Sequence, residues 1–293
     1  MRCGFSLKRG RPRRWPLLGL LPVALLSFVW VRSFGGPQDP VTAPMAGSPV
    51  RRALFVMAHP DDEFGIYGRM LQLRDQGAEL WCVWTLGENA VRDAEATRAM
   101  AAVGVPESHL LFLQVGGLGT AQSVRQAVRE LSGFLAAHPC DEVYAPAFEG
   151  GHVQHDLTQF AVVRSVERVG AASRAYEYPL YNLAGARINL FRLTPGTTPV
   201  SGSTLDPQRV AFIRGLARCY PSQRHVTEGF LRIMPYSRQS QPRWRAIPAR
   251  DYAVPPYRGL LWHDADPRKR WTRSYRAAVC ETVAEFNNDS RSR

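Results

Sequence analysis

The chain has 293 residues, 45% of them hydrophobic, which is enough for one large domain or two small ones with a sizeable core, and nothing repeats at a fixed period. Its formal charge of +12 invites a nucleic-acid reading, but residues 1–50 hold seven of the basic residues and one acid, leaving +6 over residues 51–293. Lysine occurs only at positions 8 and 269, and no basic block accompanies a nucleic-acid motif, so the charge argues against nucleic acid as a partner.

The first 33 residues read as a signal peptide or an N-terminal membrane anchor. Arg2, Lys8, Arg9, Arg11, Arg13 and Arg14 precede seventeen uncharged, mostly apolar residues from Trp15 to Val31. That length lies at the border between the apolar stretch of a cleaved signal, about 7–15 residues, and a spanning helix, about 17–25. In either case the basic end stays in the cytoplasm. The remainder is expected to be extracytoplasmic, tethered to the membrane through this segment or released as a secreted or periplasmic protein. Residues 34–50, rich in Gly and Pro, read as a linker; one domain is expected over 51–286, and a loose polar tail over 287–293. Cys82, Cys140, Cys219 and Cys280 form no CxxC or other metal spacing. Cys82 reads as a buried small hydrophobe, while disulfide pairing is left open.

Strand and helix patterns alternate from residue 51. Ala53–Ala58 is an apolar run, and Ile66, Met70 and Leu73 recur at helical spacing before Gly77. Strands are predicted at Leu80–Leu86, Leu110–Val115, Glu142–Ala147 and Ala175–Leu180. Helices are predicted at Arg92–Val103, Val124–Ala137 and Phe160–Val169. This order implies βαβ units and an α/β fold: a Rossmann-like three-layer domain with a mostly parallel sheet and ligands at the carboxyl ends of the strands. Further on, Glu228–Met234 reads as a strand. Residues 235–271, with Tyr236, Trp244, Tyr252, Tyr257 and Trp262, read as a surface segment pinned by its aromatics, the alternative being a carbohydrate-stacking rim. Tyr275, Val279, Val283 and Phe286 predict a final amphipathic helix.

Two strands end in clusters of polar residues. The first stops on His59-Pro60-Asp61-Asp62-Glu63, the fourth on the stretch FEGGHVQHD at 148–156. Acids at the start of a helix complement its dipole, which accounts for Asp61 to Glu63 but not for the histidine beside them. His152 and His155, three apart, point to one side of a helical turn. Ends of parallel strands lie side by side, so His59, Asp62 and one of the later histidines make a three-ligand nitrogen and oxygen set. Three protein ligands and one open position is the pattern of catalytic zinc, and the lack of cysteine in both clusters argues against a structural site.

AHPDDE (58–63), TLGE (85–88), the Arg92–Glu95 pair of the next helix and EGGHVQHD (149–156) together resemble the LmbE/PIG-L family of zinc-dependent N-deacetylases, over about residues 51–180, with a weaker echo in CYPSQ (219–223). The resemblance implies zinc, or another divalent metal, on His59, Asp62 and His155. It also implies Asp61 as general base, His152 at the oxyanion or the leaving amine, and Arg92 near substrate. Arg92 could equally be an exposed residue pairing with Glu88 or Glu95. Many relatives carry an acid between the two histidines, where this chain has Val153-Gln154; Asp156 could supply an acceptor behind a ligand instead. Some relatives carry a tyrosine just before the first histidine, where this chain has Gly150-Gly151. The implied reaction removes an acetyl (acyl) group from the nitrogen of an N-acetylated amino sugar or glycoconjugate through a zinc-activated water. Asp61 takes the proton, and a positively charged His152 stabilises the oxyanion. Two other readings compete: a catalytically silent carbohydrate-binding module on the same scaffold, and a metal hydrolase of another amide. A base kept beside the ligands speaks against the silent module.

Overall fold

A computed structural model describes residues 39–42, 49–87, 89–170, 173–233, 239–267 and 272–291. The N-terminal segment 1–33 lies outside the described residues, and among these no helix is long and apolar enough to cross a membrane. The first half alternates as the sequence predicts: β1 (Arg52–Met57), α1 (Tyr67–Asp75), β2 (Glu79–Trp84), α2 (Ala90–Val103), β3 (Leu110–Phe112), α3 (Ala121–Ala137), β4 (Glu142–Pro146), α4 (Val153–Val169) and β5 (Arg174–Tyr178). These five strands are parallel, in the order β3-β2-β1-β4-β5. The chain steps from β1 to β2 and β3 on one side, then crosses back to β4 on the other. The order therefore reverses between β1 and β4, and a crevice opens above their carboxyl ends, the usual ligand position in such sheets.

Burial on both faces follows the strand period of two. Leu54 and Val56 face a core shared with α3 and α4, while Ala53, Phe55 and Met57 face the core shared with α1 and α2. Residues Ala53 to Met57 are all completely buried, so β1 is the central strand and its end is fixed from both sides.

After β5 come a short antiparallel pair, β6 (Tyr181–Asn182) and β7 (Asn189–Leu190), then β8 (Val200–Gly202), α5 (Pro207–Leu216), α6 (Arg224–Ile233), β9 (Arg243–Ala246) and a last helix, α7 (Glu281–Arg291). β9 runs antiparallel to β5, and β8 to β9, completing seven strands. Tyr275, Val279, Val283 and Phe286 are buried as expected, across a π-helical turn at Arg276–Cys280 and the start of α7.

Three expectations are corrected. The strand predicted at Glu228–Met234 is helix α6 as far as Ile233, and Met234 lies outside the described residues. Its outer face carries the i,i+4 pairs Arg224–Glu228 and Glu228–Arg232 (3.0 and 2.9 Å), and Thr227 and Leu231, one turn apart, are buried. The segment 235–271 is not wholly superficial, because it supplies β9. Arg245 of this strand is buried against Glu177, its cross-strand neighbour (2.6 Å), and Glu177 also takes Arg250 (2.7 Å), so charge is neutralised inside the sheet. The polar tail is helical as far as Arg291. Residues 39–42 of the expected linker also lie along β8, where the Thr42 amide donates to the Val200 carbonyl and Asp39 pairs with Arg192. Cys82, Cys140, Cys219 and Cys280 are free thiols, Cys82 fully buried.

Candidate metal and active site

The site is built where β1 and β4 end. After Met57 the chain bends through His59 and Pro60 into a single 3-10 turn, Asp62–Gly65, before α1 begins at Tyr67. The acids therefore precede α1 by a full turn, and Asp61 makes no side-chain cap, so helix capping does not account for them. Asp62 Oδ2 accepts the backbone amides of Ala58 (3.0 Å) and His59 (2.8 Å), which locks the end of β1. Glu63, fully buried, accepts the Asp61 amide (2.7 Å) and the Trp84 indole N–H (2.7 Å). Those bonds hold Asp61 at φ 107°, a left-handed conformation that costs a non-glycine residue about 1–3 kcal/mol.

The second strand end approaches from α4. His152 is its N-cap, and its Nδ1 accepts the Gln154 amide (3.2 Å). An accepting Nδ1 carries no proton, so in this arrangement His152 is neutral with its proton on Nε2. The positive charge expected on it would break the cap and oppose the helix dipole. His155, one turn further, is buried. The Asp156 carboxylate does not serve a ligand as expected; it accepts the amides of Glu149 (2.9 Å) and Gly150 (2.9 Å) and the Tyr275 hydroxyl (2.5 Å), and so shapes the loop.

These elements bring His59, Asp62 and His155 together. His59 Nδ1 lies 3.2 Å from His155 Nε2, which is 3.1 Å from Asp62 Oδ1; Asp62 Oδ2 is 3.5 Å from His59 Nδ1. Ligands of a tetrahedral zinc with bonds of about 2.0–2.1 Å stand about 3.3 Å apart, so the three groups fit a divalent metal. Gln154 supplies the rest of the fit. Its Oε1 can only accept, and it lies 2.6 Å from His59 Nε2, which fixes the proton there and leaves the Nδ1 lone pair facing the site. The amide thus stands in for the acid expected between the histidines. His152 belongs to the same cluster, with ligand-type nitrogens of His59, His152 and His155 within 4.8 Å of one another.

Asp61 faces a different way. Its Oδ1 lies 3.3 Å from Arg92 Nη2, and the same nitrogen donates to the Pro60 carbonyl. Arg92 is therefore turned toward the motif loop and borders the cavity; of its two alternative partners, Glu88 lies outside the described residues and Glu95 is engaged elsewhere. Glu95, fully buried, takes the Ser222 amide (2.8 Å) and hydroxyl (2.6 Å), which ties the CYPSQ stretch to α2 beside the site. The cavity above these groups measures about 890 Å³, and its walls also include Phe64, Phe191, Leu231, Tyr181 and Trp262.

The acids around the site are sorted by environment. Burial pushes the Asp62 carboxyl up, but His155 and His59 outweigh it and hold it well below the usual carboxylate range. For Glu63 and Glu149 burial wins and pushes each up to about 8, and Asp156 is pushed to about 7 in the same way.

Residues 54–166 match the family model described as PIG-L: GlcNAc-PI de-N-acetylase. Over that segment the chain is similar to the PIG-L family. Among solved structures, it is similar to the conserved protein TT1542 from Thermus thermophilus, with 18% identity and a TM-score of 0.52 over 71% of this chain and 99% of that one. It also matches a deacetylase triple mutant (Orf2*T) of the teicoplanin biosynthetic pathway, at 12% identity and a TM-score of 0.49 over 68% and 99% of the two chains. A third match is N,N'-diacetylchitobiose deacetylase from Pyrococcus horikoshii, at 16% identity and a TM-score of 0.46 over 80% and 95%. The first of these shows a shared fold. No curated protein matches the chain in sequence at a significant level.

The sequence marked His59, Asp61, Asp62, Arg92, His152 and His155, and the structure gathers all six around one cavity. It did not mark Gln154 as a partner of His59, nor Tyr181; it marked Trp262 only as one of the aromatics of residues 235–271, with the stacking rim as the alternative reading. Gln154→Leu, which keeps size and removes the acceptor, should weaken metal affinity by about 10–100-fold in chelator competition, the usual effect of losing a group behind a ligand. Unaltered affinity would show that the 2.6 Å contact does not orient His59.

Glu149 gives a pH dependence. It accepts the amides of Leu180 (2.7 Å) and Tyr181 (2.8 Å). Because burial raises it from 4.5 to about 8, the folded chain keeps a proton that the unfolded chain releases between those values. Stability contributed by this group is complete below about pH 4.5 and is lost as pH rises toward 8. Glu149→Gln should flatten that decline in urea titrations of metal-free protein at about pH 5.5 and 8. Parallel declines in the two proteins would remove Glu149 as the cause.

Proposed function

We propose that the protein is a metal-dependent N-deacetylase that removes the acetyl (acyl) group from the nitrogen of an N-acetylated amino sugar or glycoconjugate. The observation that carries this reading is the convergence of His59, Asp62 and His155, with Asp61 turned aside from them, within a PIG-L segment. Zinc or another divalent metal would be held by His59 Nδ1, His155 Nε2 and the Asp62 carboxylate. When bound there it supplies a Lewis acid for the acyl oxygen and acidifies the attacking water.

Asp61 is the base in this reading. Arg92 and the Glu63–amide bond hold its carboxylate in place, and it accepts the proton of the attacking water. His152 donates its Nε2 proton as a hydrogen bond to the oxyanion that forms as water adds to the carbonyl carbon. A neutral imidazole cannot release that proton without becoming an imidazolate. The departing nitrogen therefore recovers the proton from Asp61 as the C–N bond breaks. Amide and water become carboxylic acid and amine, and the carboxylate of Asp61 is regenerated. Arg92 acts first on Asp61, and its place on the cavity wall allows a contact with substrate as well.

Metal analysis beside amine release from a panel of N-acetylglucosamine conjugates tests the roles. His59→Ala and His155→Ala should lose metal and activity together. Asp61→Asn should keep close to one metal per chain while turnover falls by about 10²–10⁴-fold. His152→Ala should also keep metal and lose about 10²–10³-fold, as for one oxyanion donor. A metal-free Asp61→Asn chain would show the two aspartates in exchanged roles, and amine release that survives a chelator would overturn the reading.

We also infer that the domain works outside the cytoplasm, on the strength of the six basic residues ahead of Trp15. A reporter that is active only in the cytoplasm, fused after Val50, should be silent; a bright one would reverse the orientation.

A further inference from the structure

The geometry points to Trp262, set against Tyr181, as the wall on which a saccharide ring of the substrate stacks. This specificity-determining pair comes from beyond the segment that matches the family, and the inference rests on the de-N-acetylase reading above.

The loop that carries the histidines is built to receive these two rings. A side chain at position 151 would collide with the Tyr181 carbonyl oxygen and reach within 3.1 Å of its ring. At position 150 a Cβ would stand 2.8 Å from Leu261, and the backbone there is left-handed (φ 68°). The two glycines thus let Tyr181 and the Leu261–Trp262 stretch close on the same loop. Each is then fastened to it: Glu149 accepts the Tyr181 amide (2.8 Å), and the His263 amide donates to the Gly150 carbonyl (3.2 Å).

The rings lead away from the metal ligands in sequence. The Tyr181 ring lies 5.6 Å from that of His155, edge to face, and the Trp262 ring lies 5.2 Å from that of Tyr181. Trp262 therefore stands two rings from a ligand, within the span of a sugar joined to the reacting amide. Of the aromatics in residues 235–271, Trp244 and Tyr252 are buried in the core, whereas Trp262 is half-buried and borders the cavity. An indole face on a cavity wall suits the C–H face of a pyranose. Asp266 and Thr272 border the same cavity, and their oxygens suit its hydroxyls. At about 890 Å³ the cavity lies near the upper end of the range that encloses drug-sized ligands, about 300–1,000 Å³, so it has room for a ring on this wall while the amide lies at the metal.

The experiment uses the full metal-loaded chain and three N-acetyl compounds: methyl N-acetylglucosaminide, acyclic N-acetylethanolamine and the aryl compound N-benzylacetamide. Trp262→Ala should lower the ratio of kcat/KM for the pyranoside to that for the acyclic amide by about 10-fold, through KM. Trp262→Phe should restore most of the ratio, and Trp262→Leu, which keeps bulk without a ring, should not; the leucine variant decides if the alanine variant does not fold. Calorimetric binding of the pyranoside to the Asp61→Asn background should weaken by the same factor when Trp262→Leu is added. An equal loss on pyranoside and acyclic amide overturns the stacking wall and leaves the deacetylase reading standing. A loss confined to the aryl amide also overturns it, because the wall would then read an apolar group. Failure of the wild-type chain to release amine from any of the three, with no pyranoside binding, overturns both.

Discussion

The Asp62 carboxylate is the interaction on which the site depends. One oxygen ends β1 by taking two successive backbone amides, and the other meets His155, which arrives from α4 on the far side of the switch point. A single side chain thus joins the two strand ends. A buried ionised carboxylate is costly to remove from water unless opposite charge or hydrogen bonds surround it. Here two amides and two imidazoles do so, and a divalent cation between them would add to the same balance. The parallel sheet explains why the meeting occurs at all. Neighbouring parallel strands end at the same level, so residues far apart in the chain become side-by-side groups.

The other buried acids near the site do different work. Glu63 fixes the Asp61 amide, Glu149 those of Leu180 and Tyr181, Asp156 those of Glu149 and Gly150, and Glu95 that of Ser222. None of these amides lies in a regular ladder, and a carboxylate with several lone pairs can satisfy two or three donors at once. Loops that would be loose are in this way given the rigidity of a scaffold. Environment also separates these acids from the ligand. Asp62 is held well below the carboxylate range, while Glu63, Glu149 and Asp156 are raised to about 8, 8 and 7. Acids raised in this way hold a proton more readily near neutrality than Asp62 does, and groups pushed apart like this take different roles.

Much of this is legible in the sequence because the chemistry is concentrated in two short stretches, each directly after an apolar run. The alternation of runs alone places His59, Asp61, Asp62, His152 and His155 at strand ends. What escapes has no local signature. Tyr181 reaches the site from β6, and Trp262, one of several aromatics in residues 235–271, from the turn after Leu261; only the paired glycines before His152 hint that these two close on that loop. Gln154 is visible only as a missing acid, since nothing in the sequence says that an amide oxygen reaches His59. β9 is hidden by its own chemistry. Arg243 and Arg245 flank Trp244 in a strand whose guanidinium groups are bonded inside the fold, Arg245 to Glu177 and Arg243 to the carbonyls of Asp39 and Ser203. Such a strand lacks the hydrophobic alternation by which strands are read. In α6 the signal is present as i,i+4 charge pairs, but a short apolar run beside them imitates a strand.

The adjacency of Asp61 and Asp62 carries a geometric demand that the backbone meets directly. In the proposed reaction a ligand and a base both lie beside the metal, yet the base does not become a second ligand. In a relaxed turn, consecutive side chains of the same length would have similar reach. The left-handed backbone at Asp61 breaks that equivalence. The Asp62 carboxylate goes to the imidazoles, and the Asp61 carboxylate goes to Arg92. Such a conformation persists only where surrounding bonds over-determine it. Here Glu63 holds the Asp61 amide, while Arg92 holds both the preceding carbonyl and the carboxylate itself. The same guanidinium thus fixes both the loop carbonyl and the direction of the Asp61 carboxylate. Backbone strain is thus placed at Asp61, where the proposed reaction gives two neighbouring aspartates different tasks.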